Sequence, residues 1–256
     1  MRLKKLLTLS LAAIMGLSLG ACGGNSDESK GEKTYKIASD TTFAPFEFEN
    51  KDGKRVGIDL ELLKAIADEE GFKYEIDAVG FDAAMASVEN GQSDGMIAGM
   101  SITDERKEKY DFSDSYYTSK VCFATEKGSD IDSLEDLKGK DVVAKVGTVG
   151  ASYAEKMAKK YDFSVKQVES SAMMYQEVTS GNAVACFEDY PVMNYEIKEN
   201  GQPLEVPFIS DEGSEYGFAV LKGENGELID MFNSGLKKIK ENGEYQKIID
   251  KYAKEN

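Results

Sequence analysis

The sequence predicts an α/β fold of two similar lobes with a ligand cleft between them. Apolar strand patterns alternate with helical patterns along the 256 residues, as they do in α/β sheets. Two segments resemble each other, because a helix ends at Asn90-Gly91 or at Ser180-Gly181 and a short apolar strand follows. Small or polar residues come after each strand. Ligand sites of α/β sheets lie beyond the carboxyl ends of strands, so we expect one there.

Local patterns place the individual elements in order. A strand over residues 35–39 precedes a hairpin turn at residues 50–53, where the sequence is NKDG. A stripe of Leu62, Leu63 and Ile66 predicts a helix over residues 59–70, which Gly71 ends. Further strands are predicted at residues 74–78, 96–100, 142–146, 164–168 and 184–187. Further helices are predicted at residues 81–89, 149–160, 172–180, 227–242 and 244–254.

Two extended apolar segments, residues 116–125 and 214–221, are suited to carrying the chain between the lobes. The first lobe would then be discontinuous and take both ends of the globular part. We expect residues 34–119 and 215–256 in the first lobe and residues 120–214 in the second.

The first 21 residues predict a secretory signal, because a basic head precedes an apolar run too short to span a membrane comfortably. The run ends in LGAC, which resembles a bacterial lipobox. That resemblance implies cleavage before Cys22 and lipidation of its sulfur; the alternative is a plain secretory signal. Residues 22–33 are polar and low in complexity, so we expect them to serve as a flexible tether. We expect the protein at the cell surface, anchored to the outer face of the cytoplasmic membrane, or in the periplasm.

Composition excludes several classes of function. The formal net charge is −16 with no basic tract, which is unsuited to nucleic-acid binding. The absence of histidine removes Ser-His-Asp and Cys-His catalysis and most zinc sites. Paired-carboxylate chemistry stays possible, yet no two acids can be matched to one cleft. Cys122 and Cys186 lie in apolar runs, which favours two buried free thiols over a disulfide. We expect no enzyme, no cofactor and no metal.

The segment AGMSITDERKEKYDFSD, residues 98–114, is the strongest candidate for a binding site. Gly99 allows close approach of the backbone, and Ser101 supplies a hydroxyl and an N–H group. Thr103 is suited to cap a helix, in which Arg106 faces back toward Gly99 and Ser101. A guanidinium with nearby hydroxyls and carbonyls is what a free amino acid requires. The alternative is a solvated, charge-rich helix start.

Six motifs in order resemble those of family-3 solute-binding proteins of polar amino-acid ABC transporters. They are ASDTTFAPFEFEN, GKRVGIDLELLKAIA, SITDERKEKYDFSDSYY, AKVGTVGASYAEK, ACFED and ENGEYQKIIDKYAK, and they span nearly all of residues 34–256. The greatest similarity is to glutamine-binding proteins. The resemblance implies a type II periplasmic-binding-protein fold, whose two α/β lobes are joined by two hinge crossings. It also implies that the lobes close on one amino acid, which the protein delivers to a membrane permease and its ATPase.

The resemblance also assigns roles to single residues. Arg106 corresponds to the residue that holds the ligand carboxylate, supported by Ser101. The backbone of Thr148, in the motif GTVG, would supply a second contact to that carboxylate. Asp189 corresponds to the acid that pairs with the ligand ammonium, assisted by the Gly99 carbonyl. Without the resemblance, GTVG is typical of a strand-to-helix turn, and an acid after a strand is typical of a loop or helix cap.

Four further residues correspond to contacts of the ligand side chain. Phe43 and Phe81 match the walls around it, Asp40 the acid at its far end, and Lys145 a lysine of glutamine-binding relatives. Ala98 stands where histidine-type binders carry serine, which weakens the case for a basic ligand. We favour glutamine, with a basic amino acid second.

The expected protein is a monomer that binds a free amino acid and does not alter it. A sensor that signals through a separate receptor and a dehydratase or lyase on the same fold are the alternatives.

Overall fold

Two five-stranded sheets and one three-stranded sheet form the fold of residues 33–253, the part that the computed structural model describes. In chain order the strands are β1 Thr34–Ser39, β2 Thr42–Phe43, β3 Glu47–Glu49, β4 Arg55–Val56, β5 Lys73–Ala78, β6 Gly95–Met96, β7 Tyr110–Phe112, β8 Tyr117–Glu126, β9 Asp141–Lys145, β10 Ser164–Val168, β11 Ala185–Asp189, β12 Leu204–Tyr216 and β13 Ala219–Leu221. The predicted signal, the lipidation site at Cys22 and nearly all of the tether lie outside the described residues.

Eight α-helices and one 3-10 turn, Glu135–Leu137, occur in the described part of the chain. The helices are α1 Ile58–Glu70, α2 Phe81–Glu89, α3 Asp104–Lys107, α4 Val149–Tyr161, α5 Ser171–Thr179, α6 Tyr190–Lys198, α7 Gly226–Glu241 and α8 Glu244–Tyr252. Between residues 33 and 253, none of these helices has the length and apolar character needed to cross a membrane.

Each five-stranded sheet is built around a parallel strand–helix–strand–helix–strand unit. The first sheet has the order β5-β1-β6-β13-β7, and its unit is β1-α1-β5-α2-β6. The second has the order β10-β9-β11-β8-β12, and its unit is β9-α4-β10-α5-β11. Parallel neighbours require a long crossover, which the helices provide. The predicted α/β class and its internal duplication are therefore confirmed.

Each of the two sheets has its own hydrophobic clusters, and the main cluster of the first also includes Val192 of α6. In the first, Leu62 and Ile66 of α1 pack with Leu236 of α7. Gly235 permits this close approach, since a Cβ there would lie 2.8 Å from Cγ2 of Ile66. In the second, the rings of Phe123 and Phe208 stack with their centroids 5.3 Å apart. Packing in these clusters holds the strands whose ends line the site described below.

The chain passes between the sheets twice. Strand β8 follows β7 after residues 113–116, and β13 follows β12 after residues 217–218. Near both passages Tyr117 pairs with Tyr216, and their rings stack at 5.8 Å between centroids. Strand β12 begins at Leu204, ten residues before the predicted segment 214–221. The lobe boundaries given above remain a prediction.

The predicted strand over residues 96–100 is wrong beyond Met96, where β6 ends. The run is apolar and buried, but it bends out of the sheet at Gly99, whose φ is +54°. The N–H group of Gly99 bonds to the side chain of Asp59 instead of a neighbouring strand. Helix α6 also lay outside the predicted elements, although Pro191 near its first turn is a typical start signal.

Cys122 and Cys186 lie on the paired strands β8 and β11. Both are buried and both are free thiols. The structure therefore agrees with the prediction of two buried free thiols instead of a disulfide.

Candidate functional site

Ends of strands from both sheets converge on a small cavity. It is nearly filled by its own walls, with about 10 Å³ open to the centre of a water molecule. Ten residues line it: Phe43, Phe81, Ala98, Gly99, Ser101, Arg106, Lys145, Thr148, Val149 and Asp189. Eight of the nine residues predicted to contact a ligand are among them. The ninth, Asp40, forms an ion pair with the lining residue Lys145.

The guanidinium of Arg106 is held in a fixed orientation at one side of this cavity. Thr103 caps α3, because its hydroxyl accepts a hydrogen bond from the Arg106 N–H at 3.2 Å. Nη1 of Arg106 donates to the Ser101 carbonyl at 2.8 Å, and Nη2 donates to the Gly147 carbonyl at 2.9 Å. Gly147 follows a strand of the second sheet, so Arg106 joins elements of both sheets. The Phe81 ring centroid lies 5.3 Å from Cζ of Arg106.

Thr148 caps helix α4 beside the guanidinium. Its hydroxyl accepts a hydrogen bond from the Ala151 N–H at 3.1 Å and donates one to the Lys145 carbonyl at 2.8 Å. The first N–H groups of a helix have no partners within it and favour an anion. Gly150 lets α4 pack closely on β11, since a Cβ there would lie 3.1 Å from the Phe187 carbonyl oxygen. Arg106 and this helix start together provide donors for a carboxylate.

Asp189 is the acid of the cavity, at the end of β11 and 4% exposed. Its Oδ1 accepts a hydrogen bond from the Ser119 hydroxyl at 2.8 Å. Burial raises the pKa of Asp189 to about 6, against the opposing effects of the Ser119 and Tyr216 hydroxyls and the charge of Arg106. A cation in the cavity would therefore favour the ionised carboxylate and offset part of the free-energy cost of burying its charge.

Gly99 closes the cavity next to Phe43. A Cβ at this position would lie only 2.3 Å from Cε1 of Phe43, so a side chain does not fit. The Gly99 N–H donates to Oδ2 of Asp59 at 2.7 Å, which fixes the peptide plane between Ala98 and Gly99. Sequence reasoning did not identify Asp59 or Ser119 as supports of the site, because their partners are 40 and 70 residues away in the chain.

Asp40 and Lys145 form a buried ion pair that joins the two sheets at another side of the cavity. Each side chain is 2% exposed. The backbone N–H of Thr41 donates to the other carboxylate oxygen of Asp40 at 2.6 Å. Nζ of Lys145 lies 5.6 Å from the ring centroid of Phe43 and 5.8 Å from that of Phe81. The cavity thus combines aromatic walls with the cations of Arg106 and Lys145 and the carboxyl group of Asp189.

A larger cavity of about 390 Å³ lies between the β2–β3 hairpin and helices α5 and α6. Its described lining has the carboxylates Glu49 and Glu196 among hydroxyls and amides, with neither lysine nor arginine. The smaller cavity brings opposite charges together with aromatic rings, and it is therefore the candidate site.

Comparison with known proteins gives the same family as the motifs. Residues 35–255 match the family of bacterial extracellular solute-binding proteins, family 3. The arginine-binding extracellular protein ArtP of Bacillus subtilis is 32% identical to the chain, and the match covers 98% of both proteins.

Solved structures extend the comparison to the fold. Substrate-binding domain 2 of Lactococcus lactis GlnP, in an open conformation, is 46% identical with a TM-score of 0.61. That match covers 89% of this chain and 97% of the domain. An ancestral arginine-binding protein bound to glutamine is 37% identical with a TM-score of 0.81, over 87% of this chain and 98% of that one. The predicted type II binding-protein fold is confirmed, and the chain belongs to family 3 of the bacterial extracellular solute-binding proteins.

Proposed function

We propose that the protein is the substrate-binding component of an amino-acid ABC importer and that it releases its ligand unchanged. The observation that carries the proposal is the pairing of Arg106 and Asp189 in one cavity. A free amino acid has a carboxylate and an ammonium a few ångströms apart, and these two groups match both charges. The relatives described above are binding proteins, which supports a role in capture.

The ligand that we favour is glutamine. Its flat amide can accept a hydrogen bond from Lys145 and donate one to Asp40, while Phe43 and Phe81 enclose its methylene groups. A cationic side chain would instead bring a second positive charge against Lys145 in a region of low dielectric. An ancestral arginine-binding protein has been solved both with glutamine and with arginine bound, so it is consistent with either ligand. ArtP is named as an arginine-binding protein, so arginine is the second candidate.

Closure of the two lobes, 34–119 with 215–256 against 120–214, is the proposed mechanism. Arg106 belongs to the first lobe in this division, and Thr148 and Asp189 belong to the second. One amino acid then contacts both lobes only when they are closed. The closed form therefore binds the ligand more tightly than the open form does, and ligand binding favours closure. The closed, monomeric protein, anchored through Cys22 to the outer face of the membrane, would deliver the ligand to a permease and its ATPase.

A thermal-shift panel of the common amino acids tests the proposal. A ligand at about 100 times its dissociation constant adds about 2.7 kcal/mol to the free energy of unfolding, which is a measurable rise in Tm. We expect the largest rise with glutamine, a smaller one with arginine and none with D-glutamine. If no amino acid raises the Tm, the proposed function is wrong.

A further inference from the structure

Two carboxyl groups that do not line the cavity lie beneath Gly99. Glu47 of β3 is 1% exposed and Asp59 of α1 is fully buried. Backbone bonds fix the two elements together, since the Asp59 N–H donates to the Phe46 carbonyl at 3.0 Å. Gly57 permits this contact, because a Cβ there would lie 2.0 Å from that carbonyl oxygen. The backbone segments that carry the two carboxyl groups are therefore held together at the start of α1.

Asp59 has the surroundings of an ionised carboxylate. Its Oδ2 accepts hydrogen bonds from the Gly99 N–H at 2.7 Å and from the Tyr116 hydroxyl at 2.8 Å. It is the second residue of α1, where the helix dipole favours negative charge. Burial alone opposes ionisation and raises its pKa to about 6. Asp59 thus connects the loop at Gly99 with Tyr116, which precedes β8.

Glu47 has the opposite surroundings. Both of its carboxyl oxygens, and Oδ1 of Asp59, are buried without a hydrogen-bond donor among the described residues. Burial, together with the charges of Asp59 and Asp40, raises the pKa of Glu47 well above its ordinary value, although Lys145 opposes this. A proton on Glu47 would let it donate to Asp59. That single proton would satisfy orphaned oxygens on both groups and remove the repulsion between them.

We propose that Glu47 and Asp59 share one proton and that this pair positions Gly99 for the ammonium of the bound amino acid. Glu47 is the neutral donor, and Asp59 is the anion that holds the Gly99 N–H group. Both are positioning residues, since neither lines the cavity. Ligand positioning rests on the proposed function above, whereas the shared proton does not.

The shared proton is tested by infrared spectroscopy of the purified protein at about pH 7. A protonated carboxyl group gives a C=O band separate from those of carboxylates. Burial raises the pKa of Glu188 to about 7, so Glu188 also contributes to this band, and we expect a component of it to disappear in Glu47→Gln. Glu49→Gln is the matched control, because Glu49 is an exposed glutamate of the same strand. This component should persist in that control. A wild-type spectrum without the band, or a band that Glu47→Gln leaves intact, would overturn the proposal.

Positioning of the ligand is tested by calorimetric titration with the amino acid that gives the largest thermal shift. Glu47→Gln keeps a donor for Asp59, so we expect its Kd within about threefold of the wild-type value, as for a change below 1 kcal/mol. Glu47→Leu removes the donor at similar size, and we expect about tenfold weaker binding. Equal weakening by both variants, or wild-type affinity in Glu47→Leu, contradicts the positioning role.

Two further results separate the possible failures. If Glu47→Leu does not fold by circular dichroism, Asp59→Asn replaces it and is expected to weaken binding by a similar factor, because it removes the anion facing Gly99. If the wild-type protein has the Glu47 component of the infrared band but binds no amino acid, the proposed function fails and the shared proton stands. If the wild-type protein lacks that component but binds an amino acid, the shared proton is refuted and the proposed function stands.

Discussion

Replacing Arg106 by alanine should weaken ligand binding more than any other single change in the cavity. The guanidinium is held by the Ser101 and Gly147 carbonyls at 2.8 and 2.9 Å, and it faces the cavity as a fixed fork. Its loss leaves a buried ligand carboxylate with the N–H groups at the start of α4 alone. Removing one partner of a buried charge pair costs about 3–5 kcal/mol, which corresponds to a Kd raised about a hundredfold to several thousandfold.

Isothermal titration calorimetry measures this effect directly, with the preferred amino acid as ligand. Lys107→Ala is the matched control, because Lys107 is the next residue in the same short helix and its side chain is 55% exposed. We expect wild-type affinity in the control and an unchanged circular-dichroism spectrum in both variants. Arg106→Ala binding within tenfold of the wild-type Kd would refute the assignment of Arg106 to the ligand carboxylate.

Three other predictions follow from the geometry of the cavity. Gly99→Ala should lower the free energy of unfolding by about 2–4 kcal/mol in urea titrations, since it combines a positive φ with overlap on Phe43. Gly91→Ala, which has a positive φ but open space around it, should lose only about 1–2 kcal/mol. The pKa of Asp189 is raised in the fold from 3.8 to about 6, so the unliganded protein loses stability as pH rises between these two values, and the loss is nearly complete at about pH 7. Asp189→Asn should therefore be more stable than the unliganded wild type at about pH 7, by a margin that shrinks near pH 5, and should not bind ligand. Lys145→Met should weaken glutamine binding about tenfold or more in calorimetry and strengthen arginine binding, because it removes the buried cation.

Each of these outcomes can fail in a distinct way. Equal losses in the two glycine variants would mean that overlap with the aromatic ring is absent. A less stable Asp189→Asn protein at about pH 7 would mean that the surrounding hydroxyls and cations outweigh burial. An unchanged ratio of glutamine to arginine affinity in Lys145→Met would remove the argument for an amide ligand.

Local signals in the sequence predict much of this site. Thr103 caps α3 as expected, and the cap fixes how far Arg106 lies from Ser101. Gly147 and Thr148 likewise mark the end of β9 and the start of α4. Such features depend on neighbours within about one helical turn, so residue types and spacing are sufficient to place them.

Contacts between distant parts of the chain are what the sequence does not predict. The residues 97–100 are apolar enough for a strand, but the bond from Gly99 to Asp59 bends them out of the sheet. Glu47 stands in an ordinary hairpin pattern, and only the packing of β3 on α1 places it against Asp59. Ser119 is one of many serines until β8 pairs with β11 and brings it to Asp189. Tertiary pairing determines these positions.

The reactivity of the buried thiols of Cys122 and Cys186 reports when strands of the second sheet separate. Burial raises the pKa of both thiols, so little reactive thiolate forms at neutral pH while β8 and β11 stay paired. Alkylation of these two cysteines then requires local separation of the strands. Peptide-level mass spectrometry of maleimide labelling can follow that separation, and a ligand bound at the neighbouring Asp189 should slow it in proportion to its occupancy.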